Sequence, residues 1–221
     1  MAFQLIKYPI FLFFLVLAIY SGLQWYMSVL TVGPKNYILD VGQNNYKEKD
    51  VRKFVLFLDS FGYKSDFMPE FYKVSADLYV LLFQFNRTDK EYLDEAIGRY
   101  KKSLISRPCW GEVWGLLAQA YWLRGEWFGK GDEALRQSMI CGKFDADSQR
   151  QYIYQSFKVW RFLPYDLKDM AIHGADHYST YDARGLLLEA KKMNHLEVVR
   201  PFYIKSQYKI NLYQQIVGVR P

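Results

Sequence analysis

Residues 8–32 contain no charged side chain, and this run constrains the chain more than any other feature. At 1.5 Å per helical residue, about 20 apolar residues cross a hydrocarbon layer of roughly 30 Å. Tyr8 stands at one end and Trp25 and Tyr26 near the other, where amphipathic rings sit at headgroup level. Lys7 and Lys35 close the flanks. A cleaved signal peptide is the competing reading, but its apolar region is shorter and ends in a small-x-small site. Here Ser21 and Gly22 make a poor site, and the apolar run continues through Trp25, Met27 and Leu30. The sequence therefore predicts an uncleaved membrane anchor over residues 1–32. Lys7 and the amino terminus together outweigh Lys35, which keeps the short tail inside and sends the body outside.

The chain as a whole is too apolar to be disordered, with 51% hydrophobic residues against 24% charged. Only 14 Gly and 7 Pro punctuate it, so long stretches lack the turn signals an all-β fold requires. Two cysteines exclude a disulfide scaffold and a four-cysteine zinc site. A formal charge of +6 permits contact with phosphates, acidic polymers or anionic lipid without selecting among them. After a linker over 33–47, residues 48–221 divide into amphipathic segments. Their stops are Gly62, Pro108, Gly125, Gly142, Pro164, and Gly174 or Asn194. The best-signed helix opens with Thr88 and Glu91 as a capping box and ends before Pro108. Its apolar positions Tyr92, Leu93, Ala96, Ile97, Tyr100 and Leu104 recur at three- and four-residue steps. The expected fold class is all-α.

Trp114, Leu117, Ala118 and Tyr121 resemble the first helix of a tetratricopeptide repeat, a 34-residue helical pair in which small residues mark helix contacts. Gly125 and Trp127 match its turn, and Ala96, Tyr100, Leu104 and Pro108 match the second helix of the preceding repeat. Ala134 and Cys141 fit the small positions of the next second helix, beyond an insertion around Phe128, Gly129, Lys130 and Gly131. A weaker upstream copy is Tyr72, Ser75, Ala76 and Tyr79. The resemblance implies a single transmembrane helix followed by a domain of tetratricopeptide-like hairpins.

A narrower pattern combines the anchor with Arg107-Pro108-Cys109-Trp110, then Trp114 and Leu117-Ala118, Ala134-Leu135, and Gly142-Lys143-Phe144-Asp145-Ala146. It resembles the small tetratricopeptide-like proteins of bacterial exopolysaccharide gene clusters, the VpsP-type polysaccharide biosynthesis family. That family often has two prolines in the last segment, which this chain lacks. The resemblance implies an inner-membrane accessory protein with a periplasmic body, whose partners are other proteins of a polysaccharide assembly machine. It carries over no catalytic residues. A membrane-anchored chaperone or quality-control adaptor shares the architecture without the tie to glycans.

Candidate chemistry is sparse. His173 and His177 share one helical face at i, i+4, as in zinc sites, but the glutamate of that motif is missing and Gly174 weakens the helix. A third ligand would have to come from Asp169, Asp182 or His195, so the pair reads as a solvated helix face. No phosphate loop or nucleophile elbow occurs, so no enzyme activity, cofactor, metal or nucleic-acid partner is expected. Lys90, Arg99, Lys101, Lys102 and Arg107 form a basic stretch that reads either as a solvated face or as a surface for anionic lipid or acidic polysaccharide. Cys109 precedes one helix and Cys141 ends the next, so they read either as a hairpin-closing disulfide or as a small core residue and an incidental thiol.

Overall fold

The computed structural model describes residues 2–40, 47–61 and 68–221. Gly62 and most of the second half of the expected linker lie outside them. The described residues are helical with no strand, and their contacts divide into two compact units, Met1–Ser106 and Arg107–Pro221.

The first unit holds α1 (Ala2–Asp40), α2 (Glu48–Asp59), α3 (Pro69–Phe85) and α4 (Glu91–Ser106). Within α1, the stretch Leu12–Ile38 is long and apolar enough to cross a membrane. Over its first part the side chains, among them Phe13, Phe14, Val16, Ile19 and Trp25, stand exposed. The helix does not stop at Gly33-Pro34: residues 33–40, assigned to a linker by composition, continue it. The reason is tertiary. Thr31 and Pro34 are buried, the Tyr37 ring lies 5.3 Å from Phe54, and the end of α1 packs on α3. At 1.5 Å per residue α1 is about twice as long as the hydrocarbon layer is thick.

α3 is covered on most sides, with Phe71, Val74, Ala76, Leu78 and Leu82 buried, as its nearly continuous apolar sequence requires. α2 offers it one stripe, Val51, Val55 and Leu58, and α4 another, Leu93, Ala96, Ile97, Tyr100 and Leu104. The start of α4 departs from the expected capping box. The Asp89 carboxylate accepts from the Glu91 amide at 3.2 Å, while the Thr88 hydroxyl donates to the Asn86 side chain at 2.7 Å. Asp89 reaches the first free amides of a helix beginning at Glu91, whereas Thr88 is a residue too early.

The second unit holds α5 (Gly111–Arg124), α6 (Asp132–Cys141), α7 (Ala146–Val159), α8 (Tyr165–Tyr178), α9 (Ala183–Lys192), α10 (Leu196–Tyr203) and α11 (Gln207–Val217). α5 packs on both α6 and α7, and α6 on both α7 and α8. The insertion before α6 forms a kinked π-helical turn, Trp127–Gly131, in which Phe128 and Gly129 leave helical backbone geometry. Asp145 caps α7, accepting from the Ser148 amide at 2.8 Å, and Asp182 caps α9, accepting from the Gly185 amide at 2.7 Å.

Gly174 is no helix stop; it lies inside α8. A Cβ there would sit 2.6 Å from Tyr152 Cε2 and still closer to the hydroxyl. The absent side chain lets the buried Tyr152 ring lie against the α8 backbone. Gly174→Ala gains about 1 kcal/mol of helix propensity but overpacks a closed contact, at a cost of about 1–3 kcal/mol. Denaturant unfolding of Gly174→Ala should show a net loss of stability, largely restored by adding Tyr152→Phe. A stabilised single variant would mean that this contact relaxes freely.

Candidate functional site

The motif around Pro108 is a structural junction. Trp110 is buried, the Arg107 guanidinium lies 4.5 Å from its ring centroid, and the half-buried Trp114 donates its indole N–H to the Pro108 carbonyl at 2.7 Å. Cys109 is joined to Cys141 by a disulfide, with Cα atoms 5.1 Å apart. Beside it the backbones of Gly111 and Gly142 approach so closely that a Cβ on Gly111 would stand 2.6 Å from the Gly142 Cα. The Ser138 hydroxyl donates to the Gly111 carbonyl at 2.6 Å. Ala118 and Ala134 are buried, as are Leu117 and Tyr121, so the small positions stand at helix contacts.

Of the basic stretch, Lys90, Arg99, Lys101 and Lys102 lie in the first unit and do not form one surface there. Arg99 turns inward: its guanidinium donates to Ser75 Oγ at 2.8 Å, pairs with Asp59 at 2.9 Å, and lies 4.6 Å from the Tyr79 ring centroid. It ties α2, α3 and α4 together, because Asp59, Ser75 and Tyr79 face it. Tyr79 donates to Asp59 at 2.8 Å, and burial, with that bond, pushes its hydroxyl up to about 12. Tyr100 similarly donates to Asp77 at 2.6 Å. Lys90, Lys101 and Lys102 are exposed, with the Lys102 amine 5.5 Å from the Tyr72 ring.

Two cavities of the second unit stand out by their linings. The first, of about 540 Å³, lies among α6, α7 and α8 and is mostly apolar, with Met139, Ile140, Phe144, Tyr152 and Met170 in its walls. His173 and His177 both line it. His177 Nδ1 stands 2.8 Å from the Gln149 amide nitrogen, and His173 Nδ1 2.9 Å from the Asp169 carbonyl. His195 is elsewhere, its Nε2 2.9 Å from the Phe157 carbonyl, and Asp182 is occupied as the α9 cap. Among the described residues no three His, Cys, Asp or Glu side chains converge to hold a metal. Burial pushes the Tyr152 hydroxyl up to about 12, so it stays a neutral phenol at physiological pH.

The second cavity, of about 500 Å³, is lined by Trp122, Phe157, Lys158, Trp160, Arg161 and Phe162, with Asn194 and His195 from the α9–α10 turn. Sequence reasoning named Asn194 as a helix stop and His195 as a possible ligand but did not group these residues into a site. The usable signal was Lys158-Val159-Trp160-Arg161-Phe162, where basic and aromatic residues interleave immediately before Pro164. Nothing in that segment shows that Trp122 and Asn194 join it.

No protein-family model matches this chain, and no curated protein matches it either.

The disulfide closes a loop spanning 32 residues, for which loop-closure entropy gives roughly 3–4 kcal/mol of stabilisation. A Cys109→Ser, Cys141→Ser double variant should lose stability of that order in denaturant unfolding. A loss below about 1 kcal/mol would mean that the glycine contact and the Ser138 bond hold the junction alone.

Proposed function

We propose that this protein is a non-enzymatic, membrane-anchored scaffold of a bacterial machine that makes or exports a surface polysaccharide, and that it holds partner proteins along a groove of tetratricopeptide-like helical hairpins. The observation that carries this reading is the combination of an apolar helix of membrane-spanning length with a helical body whose hairpin is closed by a disulfide. Disulfides persist in oxidising compartments. The combination therefore supports an inner-membrane anchor with a periplasmic body, the orientation that the charges flanking the apolar run favour.

The repeat reading draws support from packing. Each of α5 and α6 touches the next helix and the one after it, as stacked helical pairs do. Small residues at Ala96, Ala118 and Ala134 are fully enclosed, where pairs meet. The apolar cavity among α6, α7 and α8 has a volume and lining that suit side chains of a partner segment. The tie to polysaccharide rests on the resemblance carried by Arg107-Pro108-x-Trp110 and Trp114 with Leu117-Ala118.

Deleting the gene should lower the polysaccharide released by the cells severalfold, as measured by uronic-acid and total-sugar assays of the culture supernatant. The full chain supplied in trans should restore it. Unchanged polysaccharide together with misfolded membrane proteins would replace this reading with the general quality-control adaptor.

A further inference from the structure

The second cavity differs from the first in kind. Its walls are rings and cations: Trp122 and Phe162 stand 5.5 Å apart between centroids, Trp160 and His195 5.7 Å. The rings continue outward, with Phe128 6.4 Å from Phe162. Phe128 is 75% exposed and Phe162 49% exposed. Large aromatic surface left in solvent beside a cavity marks a binding surface.

The charge is one-sided. Lys158 and Arg161 line the cavity, and no carboxylate does among the described residues. The Lys168 amine lies 5.8 Å from the Trp160 ring. Neither Lys158 nor Arg161 forms an ion pair with a described residue. Glu189 lies within electrostatic range of Lys158, but so does Lys192. Arginine offers a planar fork that matches a carboxylate with two bonds. Asn194, in left-handed geometry at φ 60°, places an exposed amide at the rim. An amide both donates and accepts, which suits a hydroxyl.

We propose that this cavity binds a hexuronate-containing saccharide, with a sugar face stacked on Trp160 or Phe162, its carboxylate on Arg161 and Lys158, and a hydroxyl on Asn194. A flat apolar face, an adjacent anion and a polar hydroxyl together define that ligand. A nucleotide shares the ring and the anion, but a body in an oxidising compartment is away from the nucleotide pool. In naming a saccharide the inference rests on the polysaccharide reading above. The volume lies within the roughly 300–1,000 Å³ usual for small-molecule sites.

The test uses the full chain in phosphatidylcholine nanodiscs, with tryptophan fluorescence as the readout and tetragalacturonate, maltotetraose and ATP as probes. Tetragalacturonate should give a saturable change that weakens with added salt. Arg161→Gln should raise its Kd roughly tenfold or more, and Phe162→Ala severalfold. Both side chains are exposed, and circular dichroism of each variant should match that of the parent chain. Maltotetraose should give no saturable change. A silent tetragalacturonate titration, equal binding of maltotetraose, tighter binding of ATP, or indifference to both substitutions would overturn the proposal. If the cavity ignores tetragalacturonate while the deletion strain still loses its polysaccharide, this inference falls and the scaffold reading stands. If the cavity binds while polysaccharide output is unchanged, the site stands and the scaffold reading falls.

Discussion

The second unit is organised around the junction of α5 and α6, where covalent and steric constraints coincide. The Cys109–Cys141 bond fixes the start of one helix to the end of the other. Gly111 and Gly142 let the backbones meet where any side chain would hold them apart, and Ser138 bonds across the gap. From that fixed end the chain passes through Lys143 and Phe144 into α7, so one wall of the apolar cavity is set by the junction. The Trp114 bond to Pro108 and the Arg107 contact with Trp110 anchor the segment that leads into it.

Helices were legible wherever their own sequence carried the signal. The stripe in α4 and the enclosed character of α5 follow from the spacing and density of apolar residues. What periodicity does not encode is long-range. The continuation of α1 past Gly33-Pro34 depends on Phe54 and α3, and Gly174 reads as a stop until Tyr152 is seen lying against it. The turn at Asp89 instead of Thr88 is a one-residue shift in which side chain reaches the free amides, a distinction beyond the resolution of a pattern.

The same limit shaped the candidate sites. A run of cations on one helix reads as a surface, yet Arg99 is held by Asp59 and Ser75 from two other helices. A histidine pair at i, i+4 without the glutamate of a zinc motif reads as a solvated helix face, yet both rings line a cavity, with His177 against Gln149 and His173 against a backbone carbonyl. Conversely, the aromatic and basic cavity draws on α5, α7 and the α9–α10 turn, separated by tens of residues, and no local motif announces it. Sites assembled from distant segments are visible only once the helices are stacked.

An apolar helix long enough to cross a bilayer and a disulfide-closed body are compatible: the first suits lipid, and the second persists in an oxidising aqueous phase. The proposed function puts the body just outside the cytoplasmic membrane, and that reading depends on the placement. Proteinase K digestion of intact spheroplasts carrying a carboxyl-terminal tag measures it directly. The account predicts that the tag is removed without detergent; a tag protected until the membrane is dissolved would contradict it.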